Sequence, residues 1–495
     1  MINKNRKAVL CLFIILHSSF IVSFSGCGAR RLPDLERIFA PARARTGKAP
    51  VIVIPGILGS QLINRRTREI VWPSAFRSST DGLSLPTTPD LASNRDELVA
   101  ERIVETAKLA RLAPDIYVYY ELLNALRRYG SYQDGDWDNP PADGDRDTFY
   151  VFPYDWRRDN VESAQMFFRR VEELKRKLNR PDLRFNIVAH SMGGLVARYA
   201  AMYGDADLPL DDSTPPQPTW AGARHINKIF MFGTPNEGTM EAFATLLEGY
   251  SINEGLRRRI RLLNKLSRED AITIPAIFQL LPHTETVRFL DQNLAPLAVD
   301  FYDPEVWRKY GWTPIHSDEF RERYGRGAVR DEEGAPHRSS LAELDAYFVA
   351  VLARARRFHA ALDADSPGDN TAPPPVALYA FGGDCEETLR SPVILRDEKR
   401  ELWRTLTEPR EIRDATGRKI KRKEVTRAMY EPGDGRVTRR SLLGERAGAP
   451  RRSRLFDTPL HIVYGVFACD LHSDLQSNKT LQDNALTILV NEVMY

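Results

Sequence analysis

Short apolar runs alternate with amphipathic segments along most of the chain. The apolar runs lie at 50–55, 184–189, 226–232, 376–381 and 461–468. Each is continuous enough for a strand that is buried on both faces of a parallel sheet. The segment 161–178 carries apolar residues at helical spacing with Arg and Lys between them, which is typical of an amphipathic helix. Further helices are expected at 195–203 and 481–494, so the pattern predicts a doubly wound α/β sheet.

Three connections between these elements are far longer than the ~2–6 residues usual in α/β units. They span about 64–148, 236–360 and 390–455. We therefore expect a single domain over 28–495, with the first two connections forming cap or lid insertions and the third forming a loop. The second insertion includes the apolar run 271–281, which fits either an acyl-binding lid or a core helix.

The third connection is strongly basic. Residues 390–454 contain 20 Lys and Arg against 10 Asp and Glu, a net charge of +10. The whole chain carries only +3, from 70 Lys and Arg against 67 Asp and Glu, so we expect no nucleic-acid partner. The basic loop fits contact with anionic lipid head groups, or it is simply solvated.

Composition narrows the function classes further. With 42% hydrophobic and 28% charged residues, the chain is neither disordered nor fibrous. Four cysteines in 495 residues exclude a disulfide scaffold and a Cys-rich zinc or iron–sulfur module. The sequence also lacks a Gly-rich phosphate-binding motif, and we expect no cofactor and no metal. The large enzyme classes remain most open.

The N-terminus has the features of an export signal. Lys4, Arg6 and Lys7 precede the apolar run 8–24, and the stretch Phe-Ser-Gly-Cys that follows ends at Cys27. The stretch resembles the lipobox of bacterial lipoproteins, in which the cysteine is lipidated. We expect residues 1–27 to be a signal peptide with Cys27 as the lipid anchor, so that the protein is exported and held at the periplasmic or outer membrane surface. A plain signal peptide or an uncleaved anchor helix is the alternative.

Two cysteines remain in the body of the protein. Cys11 leaves with the signal, whereas Cys385 and Cys469 each follow a predicted strand. Two cysteines in an exported protein can pair. A disulfide and two free buried thiols both fit the sequence.

One strand–turn–helix segment supplies a candidate nucleophile. Val-Ala-His-Ser-Met-Gly-Gly-Leu, residues 188–195, joins a buried strand to a helix and places Ser191 at the turn. Small residues flank the serine because strand and helix approach closely there, and the turn exposes the hydroxyl above the sheet edge. Ser191 is the predicted nucleophile; the alternative is a simple helix N-cap. The ring of His190 is expected to point away from the site.

Chain order narrows the choice of base and acid. In this type of site the order is Ser, then acid, then His, with the histidine after the last strand. His461 opens that strand and His472 follows it; active sites lie at the carboxyl ends of parallel strands, which selects His472. Asp384 and Asp434 both remain possible as the acid on topology alone.

Four sequence blocks in order carry a family resemblance. They are Pro-Gly-Ile-Leu-Gly-Ser-Gln-Leu at 55–62, Pro-Tyr-Asp-Trp-Arg at 153–157, Ala-His-Ser-Met-Gly-Gly at 189–194 and Gly-Asp-Gly-Arg-Val at 433–437. Together they resemble the lecithin:cholesterol acyltransferase family, which includes lysosomal phospholipase A2 and plant phospholipid:diacylglycerol acyltransferases. The resemblance implies an α/β-hydrolase fold with large cap or lid insertions.

The resemblance also implies roles for individual residues. The aspartate of the last block is the family's catalytic acid, which favours Asp434 over Asp384. Arg436 stands where the family often has Thr. The backbone N–H groups of Leu58 and Met192 correspond to the oxyanion hole. Asp155, Trp156 and Arg157 are expected to brace a strand end rather than to act on substrate.

The expected activity is that of a serine lipolytic enzyme that forms an acyl-enzyme on lipid or phospholipid acyl esters. If water accepts the acyl group, the enzyme is a hydrolase of the lipase or phospholipase type; if a lipid hydroxyl accepts it, the enzyme is an O-acyltransferase. One alternative is an esterase for a different ester. Another is a catalytically inactive lipid-binding lipoprotein with the same fold.

Overall fold

The fold is taken from a computed structural model of the 495-residue chain. The structure describes residues 32–73, 82–108, 115–210, 216–251, 265–282, 289–324, 329–330, 336–337, 340–364, 374–397, 401–446 and 451–491. The predicted signal peptide and its Cys27 lie outside the described residues.

A sheet of seven parallel strands organises the described residues. In chain order the strands are β1 (Val51–Ile54), β2 (Gln133–Asp134), β3 (Thr148–Val151), β4 (Phe185–His190), β5 (Ile226–Phe232), β6 (Ala377–Gly383) and β7 (Ile462–Ala468). Across the sheet their order is β7-β6-β5-β4-β1-β3-β2, and every neighbouring pair is parallel. The predicted parallel α/β sheet is confirmed, and the carboxyl ends of its strands lie along one edge.

The continuous apolar runs follow from burial on both faces of this sheet. Ile52 and Ile54 pack into one core cluster, whereas Val51 and Val53 pack into another, because successive side chains of a strand point to opposite faces. All four side chains are essentially inaccessible to solvent. A strand covered on one face only would show alternating polar positions instead.

Helices cover both faces of the sheet. The longer ones are α1 (Tyr120–Arg128), α2 (Asn160–Lys177), α3 (Met192–Tyr203), α4 (Met240–Glu248), α5 (Pro304–Tyr310), α6 (Asp318–Tyr324), α7 (Leu341–Asp363), α8 (Arg422–Met429) and α9 (Lys479–Asn491). Every residue of α3 is buried, since it packs between the sheet and the neighbouring helices α2 and α7.

Shorter elements complete the chain outside the central sheet. The strands are Ser60–Asn64, Ile70–Trp72, Leu98–Ile103, Thr106–Lys108, Asp115–Tyr117, Tyr250–Ser251, Lys265–Leu266, Phe289–Leu290, Pro296–Leu297, Val329–Arg330, Pro336–His337, Glu386–Leu389, Val393–Asp397, Leu402–Leu406, Ile412–Arg413, Lys419–Ile420 and Tyr430–Gly433. The short helices and helical turns are Leu35–Ile38, Ala40–Ala44, Leu91–Ser93, Ala221–Arg224, Arg268–Ala271, Pro275–Phe278, Pro314–His316, Arg439–Leu443 and Leu475–Ser477.

The long connections contain more regular structure than the sequence pattern suggests. Segment 64–148 includes β2, the first residue of β3 and helix α1, so part of it belongs to the central sheet rather than to a cap. Segment 236–360 includes most of α7, which packs against α3. The two- and four-residue strands β2 and β3 are too short for a periodicity argument to detect.

The basic segment 390–455 is likewise not a continuous loop. It carries strands, helix α8 and the strand Tyr430–Gly433, which pairs antiparallel with Glu386–Leu389. Many of its described basic residues, such as Lys421, Arg422 and Lys423, are exposed, whereas apolar residues such as Val425 and Met429 form a small core of their own. The high net charge of this segment therefore does not indicate that its backbone lacks regular structure.

The apolar run 271–281 is buried throughout and belongs to the largest core cluster. The sequence left open a lid or a core helix, and the run folds into a short helix with turns on either side. Among the residues that the structure describes, no helix is long and apolar enough to cross a membrane.

A buried ion cluster holds the segment after β3. The guanidinium of Arg157, which is fully buried, makes paired hydrogen bonds of 2.6 and 2.8 Å to Asp96 and of 3.0 and 2.8 Å to Asp155. The indole N–H of Trp156 donates to the carbonyl of Ser60. Planar guanidinium matches carboxylates in this two-pronged way. The cluster lies in the interior and joins the segment after β3 to the segments that carry Asp96 and Ser60.

Removing the central cation of this cluster is expected to destabilise the protein strongly. Arg157→Ala leaves two nearly buried carboxylates without a partner, and such a loss costs about 3–5 kcal/mol of unfolding free energy. Arg308→Ala is the matched control, because Arg308 pairs with Glu305 on the exposed surface and such pairs contribute about 0–1 kcal/mol. Urea denaturation measures both; equal losses in the two variants would contradict the structural role of Arg157.

Candidate active site

Three loops meet at the carboxyl edge of the sheet. Ser191 follows β4, His472 follows β7, and Asp434 follows the strand Tyr430–Gly433. That strand pairs antiparallel with Glu386–Leu389, which begins three residues after β6, and the two strands form a two-stranded ribbon. Residues that are distant in the chain thus reach one point because parallel strands end at the same edge.

The backbone at Ser191 turns sharply between β4 and α3. Its φ is 52° and its ψ −126°, a conformation that non-glycine residues rarely adopt. The turn needs small neighbours. A Cβ at Gly193 would lie 2.6 Å from the carbonyl oxygens of Ile54 and Pro55. A Cβ at Gly56 would lie 2.8 Å from the Cβ of Ser191. The N–H of Ser191 donates to the carbonyl of Phe232 on β5, which fixes the turn to the neighbouring strand.

A chain of hydrogen bonds joins the three side chains. His472 Nε2 lies 2.9 Å from Ser191 Oγ, and His472 Nδ1 lies 2.8 Å from Asp434 Oδ2. All three residues are buried. The carboxylate accepts the Nδ1 proton, so that Nε2 is left as the acceptor for the serine hydroxyl.

The loop 434–437 holds the carboxylate in place. Asp434 Oδ1 accepts from the backbone N–H groups of Arg436 at 3.0 Å and Val437 at 2.7 Å, and Gly435 takes a φ of 88° between them. The carbonyl of Asp434 also accepts from the N–H of His472. The structure therefore brings Asp434 to the imidazole, whereas Asp384 lies beside Cys385.

His461, the other candidate base, and His190 differ in their surroundings. His461 precedes β7 at the opposite end of the strand and lines a separate pocket of about 590 Å³ with Arg198 and Arg446. The ring of His190 was expected to point away from the site, and this expectation is wrong. Its centroid lies 4.9 Å from that of His472, and its Nε2 lies 3.0 Å from the carbonyl oxygen of His472.

The backbone N–H groups of Met192 and Leu58 were predicted to form the oxyanion hole. Met192 is the first residue of α3, where helical N–H groups have no intrahelical acceptor. Leu58 has a φ of 64°, and its carbonyl accepts from the indole N–H of Trp72 at 2.8 Å. Within the described part of the chain neither N–H donates to another group. Leu58 lines the pocket above Ser191, whereas Met192 is buried and directly follows Ser191 in the chain.

A pocket of about 510 Å³ opens above Ser191 and His472. Its wall is largely apolar, and the apolar side chains are Ile57, Leu58, Pro235, Ala242, Leu266, Ile277, Leu280 and Val437. The polar groups on its wall are Thr239, Glu241, Thr245, Tyr250 and Arg436. A concave apolar site with few polar groups, placed over a nucleophile, suits a long aliphatic chain.

Arg436 is the cation of this pocket. Its guanidinium lies 4.9 Å from the ring centroid of Tyr250 and also donates to that residue's hydroxyl. The backbone carbonyl of Arg436 accepts from the hydroxyl of Thr239. The position at which the family often has Thr thus holds an anchored positive charge at this pocket.

A disulfide between Cys385 and Cys469 ties two of the active-site loops together. The two Cα atoms are 5.1 Å apart, because Gly383 at the end of β6 pairs with Ala468 at the end of β7. Cys469 precedes His472 by three residues, and Cys385 precedes the two-stranded ribbon that carries Asp434. Asp384 completes a compact group with both sulfurs, but sulfurs bonded to each other are not metal ligands.

Residues 144–319 match the family model of lecithin:cholesterol acyltransferase. The match confirms the family resemblance and supports activity on acyl esters in general. It includes Ser191 and α3 but ends before Asp434 and His472, so the acid and the base rest on geometry alone. No curated protein matches the chain significantly.

One solved structure agrees with the fold over most of the chain. The Tle4–Tli4 complex contains a chain that matches with a TM-score of 0.52 at 14% identity, over 91% of this chain and 100% of that one. The Bacillus licheniformis lipase BlEst2 matches over 48% of this chain and 55% of its own, with a TM-score of 0.21 at 13% identity. Phospholipase PlaB from Legionella pneumophila matches over 34% and 30%, with a TM-score of 0.20 at 18% identity. The α/β-hydrolase fold is confirmed.

Loss of the disulfide is expected to weaken the fold around the base. The bond closes a loop with a sequence separation of 84, and such links typically contribute about 2–4 kcal/mol to stability. The double variant Cys385→Ser/Cys469→Ser should lower the urea midpoint accordingly. Dithiothreitol should lower the wild-type midpoint to the same value and leave the double variant unchanged; a wild-type midpoint that ignores complete reduction would contradict this prediction.

Proposed function

We propose that the protein is a serine enzyme which transfers the acyl group of lipid or phospholipid esters to water or to an alcohol. The observation that carries the proposal is the hydrogen-bond chain Ser191–His472–Asp434 beneath an apolar pocket. A serine hydroxyl becomes a useful nucleophile when a neighbouring base can take its proton. The family match supports the same class of reaction.

Acylation begins at Ser191. Its Oγ attacks the ester carbonyl while His472 Nε2 takes the hydroxyl proton, and the carboxylate of Asp434 stabilises the imidazolium that forms. Negative charge develops on the former carbonyl oxygen. The N–H groups of Leu58 and Met192 are suited to bind this oxygen, and each such donor typically contributes about 3 kcal/mol of transition-state stabilisation.

Collapse of the intermediate divides the substrate. His472 gives its proton to the departing alcohol or lysolipid, and the acyl group stays on Ser191 Oγ as an ester. His472 then takes a proton from the acceptor, whose oxygen attacks the acyl-enzyme. Water as acceptor releases a fatty acid, and a lipid hydroxyl as acceptor yields a new ester, so access of water to the pocket decides the product.

The pocket supports a lipid as substrate. Its apolar wall suits an aliphatic acyl chain, since burying each CH₂ group stabilises the complex by about 0.8 kcal/mol. Arg436 supplies a positive charge at the same pocket, which suits the phosphate of a phospholipid head group.

We also propose that the enzyme is exported and held at a membrane through Cys27. The N-terminal sequence and the basic segment 390–455 support this location, because a surface rich in Lys and Arg is attracted to anionic lipids. The disulfide between Cys385 and Cys469 supports it as well, since such bonds persist mainly in oxidising compartments.

The direct test is to identify the products. Purified protein is incubated with vesicles of labelled phosphatidylcholine and phosphatidylglycerol plus a long-chain alcohol, and the lipids are analysed by mass spectrometry. We expect lysolipid together with free fatty acid or a new ester, and neither with Ser191→Ala. Binding of the vesicles without any product would overturn the enzymatic proposal and favour the lipid-binding alternative.

The acid is tested by comparing two aspartates. Asp434→Asn should lower kcat by about 10³–10⁴-fold, because an amide cannot hold the imidazole in the tautomer that accepts the serine proton. Asp384→Asn is the control, because this carboxylate directly follows β6 and contacts Cys385, and it should retain most activity. A loss with Asp384→Asn as large as that with Asp434→Asn would show that Asp434 is not the acid.

A further inference from the structure

A second chain of hydrogen bonds ends at the backbone carbonyl of His472. The N–H of Gly56 donates to the hydroxyl oxygen of Tyr119 at 2.8 Å, and this hydroxyl lies 2.8 Å from His190 Nδ1. On the other side of the ring, His190 Nε2 lies 3.0 Å from the carbonyl oxygen of His472. We call Gly56, Tyr119, His190 and the His472 carbonyl the relay. Its four members come from four separate parts of the chain.

The direction of every bond in the relay is determined by chemistry. A carbonyl oxygen only accepts, so His190 Nε2 must carry a proton and donate to His472. The neutral ring then has a lone pair on Nδ1, which accepts from the Tyr119 hydroxyl. The hydroxyl oxygen in turn accepts from Gly56. The Tyr119 hydroxyl thus both donates and accepts, and a different tautomer of His190 would break the chain at the His472 carbonyl.

The surroundings of His190 keep its ring neutral. Burial, and secondarily the neighbouring His472, lower the pKa of His190 to about 3. Arg436 opposes its protonation as well, and burial raises the pKa of the Tyr119 hydroxyl above its ordinary value. A cation at His190 would repel the imidazolium that His472 becomes during acylation. The relay therefore supports the base without competing for its charge.

The relay contacts both the loop that begins at Gly56 and the backbone of His472. Gly56 begins the loop that presents the N–H of Leu58, and His472 is held by its N–H to Asp434 and by its carbonyl to His190. We propose that Tyr119 and His190 are positioning residues, which fix the His472 peptide relative to the loop of Gly56 and so keep Nε2 aligned with Ser191. This inference rests on the proposed function. Neither residue touches the reacting atoms.

The expected effect is on turnover rather than on binding. Displacing a catalytic group by about 1 Å can lower a rate by ~10²-fold. Tyr119→Phe removes the hydroxyl and should lower kcat on a soluble short-chain ester by about 10–100-fold while KM changes by less than about 2-fold. The rate at which a fluorophosphonate labels Ser191 should fall by the same factor, because labelling also requires an aligned base.

Tyr132→Phe is the matched control. Its buried hydroxyl donates to the carbonyl of Leu489 at 3.2 Å, so the substitution removes a buried tyrosine hydroxyl that is not part of the relay. Both tyrosine variants should remain folded with a lowered urea midpoint, whereas only Tyr119→Phe should lose turnover. This comparison separates positioning from stability.

Substitutions at His190 test the donor itself. His190→Gln keeps an N–H donor near the position of Nε2, and His190→Leu removes it. We expect His190→Gln to retain at least 10-fold more turnover than His190→Leu when both are measured below their unfolding temperatures. Failure of His190→Leu to fold leaves the tyrosine pair as the deciding comparison.

The outcomes separate the relay from the proposed function. Equal kcat in Tyr119→Phe and Tyr132→Phe, with rapid labelling of wild-type Ser191, would overturn the relay and leave the enzyme assignment standing. A loss that appears in KM alone would also overturn it. Absence of labelling at Ser191 in the wild-type protein would overturn the proposed function and the relay together.

Discussion

The strained turn at Ser191 is the constraint on which the site depends. A left-handed backbone conformation at a serine is unfavourable by about 1–3 kcal/mol and persists only when the surrounding packing leaves no alternative. Here the packing comes from Gly56 and Gly193, which allow β1 to approach the start of α3. The burial of β1 and β4 on both faces of the sheet holds these backbones together. The reactive hydroxyl is thus positioned by the hydrophobic core beneath it.

Much of this arrangement was predictable because it follows from local rules. The apolar runs predicted five of the seven strands of the central sheet, and the turn sequence around Ser191 indicated the nucleophile. His472 followed from chain order and from the rule that active sites lie at the carboxyl ends of parallel strands. In each case a short stretch of sequence determines both the backbone and the direction of the side chain.

The acid was harder to assign for a physical reason. Asp434 reaches the imidazole at the end of a two-stranded ribbon. Its strands, Glu386–Leu389 and Tyr430–Gly433, are separated by a long segment rich in Lys and Arg. Nothing in the local pattern shows that those strands pair, so topology alone left Asp384 equally plausible. The resemblance to a family supplied the preference. Tyr119 and His190 were missed for the same reason, because their contacts join residues 71 and 282 positions apart.

The order of the catalytic residues has a consequence for synthesis of the protein. Ser191 lies 281 positions ahead of His472, and the disulfide that fixes the loop of the base needs Cys469. A chain that grows from its N-terminus therefore carries its serine long before the base exists. In the proposed mechanism, the hydroxyl remains an ordinary alcohol until the last strand has joined the sheet, so the unfinished polypeptide cannot yet form an acyl-enzyme.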